Sequence, residues 1–474
     1  MTVAPVTSAS WTGEALRLLD APGPDRPELL LQQADALSLA GQLRDSRSVL
    51  REAATLLPAD AWDARARLTA SLARTEWLLG RYREALSLLR QELTHGAGRV
   101  AEAPRAGLYL AGAAVALRSF DLPAAVDWAE RARVASDRTT NLPCLAEAQG
   151  MLALAHVQAG DNVGAAHHLD RALSALDSTE ESADWLNTLV TIGWTQMFQG
   201  RYDAALHQID RGLDVCRRTG RGTLLADLLE ARAYVYLWLG RLDEAAACAQ
   251  DALEAAALVG SDEPCSLAES ALAAVHLWRG DAPGALRICQ ESLSRTSTDP
   301  GSRRATVTGL LGQALLLTGD PEGCVRAVLD GGGGPGLTGY EAPLRPLWFG
   351  VLTSAELARG DSAAAERWVR CAVAAVAPDG PPACAGFALL ARAEVELFQQ
   401  GGGAASTALR AADVFATARM PLYEVRARLI AGSAPAASRS RPDALAQLAR
   451  ARALATAAGA ATLAQLAVDA YGRV

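Results

Sequence analysis

Along this chain apolar residues recur three and four positions apart, as in Leu228, Ala231, Val235 and Leu239. That is the spacing of one face of an α-helix, and it persists through the sequence with short polar interruptions. No stretch alternates strictly between apolar and polar, and none gathers the β-branched residues a strand favours. The pattern predicts an all-α protein.

The interruptions are themselves periodic. LLGRYREAL has its glycine at Gly80, QAGDNVGAA at Gly160, FQGRYDAAL at Gly200, WLGRLDEAA at Gly240 and WRGDAPGAL at Gly280. With small slips the ladder extends to Gly41, Phe120, Gly319, Gly360, the cluster at Gly401 and Arg439. It predicts about eleven helix–turn–helix repeats of about 40 residues each. The glycine ends a helix, since a left-handed residue is cheap without a β-carbon. Arg or Asp follows, then usually an apolar residue such as Tyr82, Leu122, Val163, Tyr202 or Leu242. Five positions past each marker a small residue recurs: Ala85, Ala125, Ala165, Ala205, Ala245 and Ala285. Alanine there lets the two helices of a pair approach closely.

One helical pair cannot cover its own apolar face, so neighbours must stack into a solenoid. The run GGGGPGLT at 331–338 is too rich in glycine for helix and predicts a flexible loop or hinge. Shorter interruptions fall at 377–382 and 431–442. The expected organisation is an N-terminal solenoid over 10–330, a Gly-rich hinge loop over 331–339, and a C-terminal solenoid over 340–474.

Composition narrows the function. Half of the 474 residues are apolar, only 5% are aromatic, and the net charge is −8. The sequence contains no lysine, so all 45 basic residues are arginine. Residues 401–474 hold nine arginines against four acids, while the remainder of the chain is strongly acidic. Direct nucleic-acid binding is not expected of such a chain, because phosphate contact needs a concentrated basic surface. No apolar run is long enough to span a bilayer, the first residues do not form a signal peptide, and no membrane contact is expected. The eight cysteines include no CxxC pair and read as reduced, buried thiols of a cytoplasmic protein.

Catalytic signatures are absent. There is no GxSxG elbow and no HExxH helix, and the glycine run at 331–334 lacks the lysine and helix of a phosphate cradle. His156, His167 and His168 fall within one repeat, but neighbouring histidines on a helix point about 100° apart. No metal and no cofactor are expected. Asp227 and Glu230 lie three apart on one helical face, where acid/base work would require burial to raise one pKa.

The element G-[RD]-[YL]-x-x-A followed by an apolar helix resembles the tetratricopeptide repeat, with longer helices; a HEAT-type unit fits the period but not the turn. The resemblance implies a right-handed superhelical solenoid whose first helix in each pair lines a concave groove. The groove positions lie thirteen, ten, six, three and two residues before the turn glycine. Carried over to the Gly200, Gly240 and Gly280 repeats, they select Asn187, Trp194, Phe198, Asp227, Glu230, Tyr234, Trp238 and Trp278, among others. Two readings compete: aromatics filling gaps between repeats, or the wall of a ligand pocket oriented by Asn187, Asp227 and Glu230.

A narrower resemblance comes from the end of the chain, PLYEVRARLIAG at 421–432 and DALAQLARARALATAAGAATLAQLAVDAYGRV at 443–474. It is similar to the helical-repeat region of large ATP-binding LuxR-type (MalT-like) transcriptional regulators. Their P-loop is impossible without lysine, and no helix-turn-helix precedes Val474, so the resemblance implies the sensing array alone, as a fragment or a stand-alone relative. The function expected is non-enzymatic recognition of a peptide, protein or small molecule in the groove. The alternatives are an adaptor that assembles other proteins, and an enzyme of specialised metabolism using the groove as a reaction chamber.

Overall fold

The turns decide how this chain is built. The computed structural model describes residues 5–18, 26–220, 222, 224–259, 262–295, 302–435 and 440–474. Among the described residues there are 24 α-helices and no strand. A left-handed residue stands between the two helices of a pair at Gly41, Gly80, Gly160, Gly200, Gly240, Gly280, Gly319 and Gly360. Two positions of the ladder do this without glycine: Phe120 at φ 58° and Gln400 at φ 55°. The turn near 401 is therefore made by the residue before the glycine cluster. Arg439, the last marker, lies outside the described residues.

Where aspartate follows the left-handed residue it caps the next helix. Carboxylates of Asp161, Asp281, Asp320 and Asp361 accept from the N–H three residues on, at 2.7 to 2.9 Å. Each cap satisfies one of the helix's free amides and contributes about 1 kcal/mol. The recurrent alanines five positions past the markers are all but fully buried, so a larger side chain there would overpack the pair by about 1–3 kcal/mol. The helices stack in chain order, each pair against its neighbours.

The regular stack does not stay open. The C-terminal repeats return and seat themselves on the turn edge of the Gly160 to Gly280 repeats. A β-carbon on Gly240 would stand 2.6 Å from Pro421 Cγ, and one on Gly280 would stand 2.7 Å from Thr462 Cβ. Ala342 meets Gly160 in the same way, and Arg419 pairs with Asp203 at 2.6 Å. These glycines serve twice, as left-handed turns and as points of close approach.

The glycine-rich segment at 331–339 carries the chain towards that return. Gly334 N–H donates to Leu329 O at 2.8 Å and Gly339 N–H to Gly332 O at 2.9 Å. Leu337 and Tyr340 are wholly buried, with Tyr340 stacked on Trp348 at 4.8 Å and its hydroxyl donating to Val328 O.

Candidate functional site

The first helices of successive pairs face inward, and between them they line two adjoining cavities, the compartments of one concave channel. The outer one, about 490 Å³, is lined by Asp35, Arg74, Glu147 and Asp184 together with Asn141 and Cys144. The inner one, about 140 Å³, is mainly apolar and is shared out among the Gly80 to Gly319 repeats. Trp77, Asn187 and Leu224 border both. The segment at Glu341 and Leu344 completes the inner compartment from the far side.

The groove residues expected from the sequence divide here. Asn187, Trp194, Phe198, Glu230, Tyr234 and Trp238 line the inner compartment. Trp194 stacks on Phe198 at 5.9 Å and tilts against Tyr234 at 5.8 Å, so three adjacent rings make one wall. The Tyr234 hydroxyl hydrogen-bonds Ser270 Oγ at 2.8 Å, which fixes the ring. Asn187 Nδ2 donates to Glu147 Oε1 at 2.9 Å, tying the border residue to the outer compartment.

Asp227 and Trp278 are not on the lining. Asp227 is buried and pairs with Arg118 from three repeats earlier, whose guanidinium lies over the Trp77 ring at 4.9 Å. Trp278 stands edge-on to Tyr423 at 4.9 Å, within an aromatic cluster that includes Phe387 and Phe415. Trp238 belongs to both settings, bordering the cavity while tilting against Tyr423 at 6.0 Å.

Other lining residues occupy the same groove positions in repeats to which the pattern was not extended. Trp77 stands three residues before its turn glycine, Gln158 two before Gly160, Arg118 two before the turn residue Phe120, and Thr306 thirteen before Gly319. Carrying the spacing over the whole ladder finds them. Glu341 has no such signal, because it reaches the cavity only through the fold's return.

The charges are arranged unevenly. Glu230 and Glu341 are both buried on the lining, and Arg118 is the basic side chain beside them. Burial pushes the Glu341 carboxyl up from 4.5 to about 7, opposed in part by Arg345. The Arg345 Nε donates to the Tyr340 carbonyl at 3.1 Å, and Glu341 Oε2 has no hydrogen-bond partner. Burial raises the Cys144 thiol to about 11 and those of Cys289 and Cys324 to about 12, so these cysteines stay protonated and are poor nucleophiles. His156 and His168 stack at 5.1 Å, and burial lowers the His168 imidazole to about 4. Among the described residues no group of three His, Cys, Asp or Glu side chains could hold a metal, and no helix is long and apolar enough to cross a membrane.

Among solved structures the chain is similar to a Rap protein complexed with competence and sporulation factor, with a TM-score of 0.53 and 11% identity. The match covers 78% of this chain and 96% of that one. The fold is a tetratricopeptide-like helical solenoid. Weaker likenesses extend to Cut9 in the APC/C hetero-tetramer Cut9-Hcn1, at TM-score 0.47 and 12% identity over 98% of this chain and 93% of that one. A tetratricopeptide repeat protein from Parabacteroides merdae is matched at TM-score 0.37 and 16% identity, over 61% of this chain and 99% of that one. At these identities the likeness concerns the fold alone. No family model matches the chain. No curated protein sequence matches it either.

Proposed function

We propose that this chain is a recognition module that binds a short peptide or a small molecule in its concave channel. The observation that carries this is the inner compartment, a mainly apolar space walled by Trp194, Phe198 and Tyr234 with a few polar groups among them. Such a balance of aromatic surface and sparse polar contacts is typical of ligand sites. A peptide fits better than a folded partner, because the C-terminal repeats already cover the concave side at Trp238 and Trp278. The Rap structure supports the reading, since that solenoid is seen with competence and sporulation factor.

The finer reading is a cytoplasmic sensing array of a LuxR-type regulator, for which the terminal repeats at 421–474 are the support. In that reading the ligand is the signal, and 331–339 divides the signal-binding repeats from those that pass it on. Panning a phage library of random short peptides on the immobilised chain tests the binding function. Enriched peptides should lose capture when Trp194 and Phe198 are both changed to alanine, with the helical circular dichroism intact. Failure to enrich any sequence, or capture indifferent to that double variant, overturns the proposal.

A further inference from the structure

Several polar side chains on the inner compartment are satisfied within the protein. Ser270 Oγ shares a hydrogen bond with the Tyr234 hydroxyl and donates to Leu267 O at 2.7 Å. Thr191 Oγ1 donates to Thr188 O at 3.0 Å, and Asn187 Nδ2 to Glu147. Three other lining residues differ. Trp77 Nε1, Gln158 Oε1 and Glu341 Oε2 are buried without a hydrogen-bond partner, on residues that are 5%, 7% and 6% exposed. Leaving a buried polar atom unmatched is costly, and native proteins keep few of them.

Gln158 and Glu341 come from distant parts of the chain and meet at one contact. Gln158 stands near the end of the helix Leu142–Ala159, two residues before Gly160. Glu341 precedes the short turn Ala342–Leu344, which packs on that helix. A β-carbon on Gly160 would stand 3.1 Å from Ala342 Cβ, so the two turns touch. Trp77 stands on the border shared with the outer compartment. Two of the unmatched atoms are thus acceptors and one is a donor. A ligand group with donors alone leaves Trp77 unmatched, and one with acceptors alone leaves Gln158 and Glu341 unmatched.

We propose that the inner compartment is a carboxamide subsite, in which an amide NH2 donates to Gln158 Oε1 and Glu341 Oε2 and a carbonyl oxygen of the same ligand accepts from Trp77 Nε1. This names the ligand chemistry of the recognition reading above and rests on it. A primary carboxamide carries two N–H donors beside one carbonyl oxygen, the complement of the unmatched set. It is neutral, so entering a mainly apolar space costs it less than it costs an ion. The group belongs either to an asparagine or glutamine side chain of a bound peptide or to a free carboxamide, which present the same atoms to these residues.

Isothermal titration on the full chain at pH 8 tests the proposal, since the Glu341 carboxyl, raised by burial to about 7, is then ionised and accepts. Benzamide is compared with benzylamine, which has no carbonyl, and with benzoate and acetophenone, which have no N–H. It should bind at least about tenfold more tightly than any of them, and Gln158→Leu should remove that preference without lowering the melting temperature. Glu341→Leu is the second variant, read the same way should the first fail to fold. A capped Ala-Gln-Ala tripeptide distinguishes the sources: tighter binding than benzamide supports a peptide side chain, weaker binding a free carboxamide. Equal affinity for any analogue, no binding of benzamide or the tripeptide, or a Gln158→Leu variant that keeps the preference overturns the carboxamide subsite. Peptide capture that depends on Trp194 and Phe198 but not on Gln158 would leave the recognition reading standing and remove this one.

Discussion

Two ends of one aromatic ladder behave differently in this molecule. Trp194 and Trp278 both fall on groove positions of their repeats, six and two residues before a turn glycine. Around Trp194 the space in front of the ring is a cavity, bounded by Phe198 and Tyr234. Around Trp278 the same space is filled by Tyr423, with Phe387 and Phe415 packed behind it. The repeat supplies an inward aromatic at both places. What differs is whether the returning C-terminal helices close against it, and this turns one stretch into core and leaves the other available for a ligand.

The largest effect that separates the two should come from the centre of the filled region. Tyr423→Ala removes a ring that touches Trp238, Trp278, Phe387 and Phe415, and should cost about 3–5 kcal/mol in chemical denaturation. A loss under about 1 kcal/mol would mean that the C-terminal repeats are not held there. Breaking the buried Arg118–Asp227 pair comes next. Asp227→Asn takes the negative charge from that pair, and about 3 kcal/mol of stability should go with it.

Glu341→Gln should move stability the other way, with a pH signature. A carboxyl raised from 4.5 to about 7 holds its proton in the folded state where the unfolded chain releases it. The stability linked to that proton is fully present below pH 4.5 and is lost as pH rises to 7. Thermal unfolding should therefore find the variant no better than the parent at pH 4, and up to about 3 kcal/mol more stable at pH 8. A variant that is equally destabilised at both pH values would refute the buried-charge account.

Smaller still is the difference between two turn glycines. Gly200→Ala, at φ 73° with open space around it, should lose about 1 kcal/mol from backbone strain alone. Gly280→Ala carries the same strain and must also displace Thr462, so its melting temperature should fall further. Equal losses would argue against the seat of the last helix on that turn. Trp194→Ala should cost less than Tyr423→Ala, because its ring faces a cavity on one side, while peptide capture is lost.

Much of this was legible from spacing. The left-handed turns, the aspartate caps and the buried alanines follow from local rules, so among the described residues the markers fall on left-handed turns, with Gln400 standing one residue before the Gly401 cluster. Six of the eight groove residues singled out by the repeat do line the cavity. Trp77, Arg118, Gln158 and Thr306 sit at the same spacing and needed only its extension to the other repeats. Glu341 and Tyr423 carried no local sign at all, since Glu341 meets Tyr234, and Tyr423 meets Trp238 and Trp278, across a hundred residues or more.

The sequence by itself determined the helices, the turns that pair them, and which side of each pair faces inward. These depend on backbone sterics, capping and a period of apolar residues, all of which act within one repeat. Whether an inward aromatic becomes core or cavity wall was decided only by the tertiary structure. That outcome depends on small stacking angles summed over many repeats, which bring residues 341–344 and 421–433 back against the Gly160 to Gly280 ladder. Contacts of that range leave no period in the chain, because a segment carries no record of which distant surface it will meet.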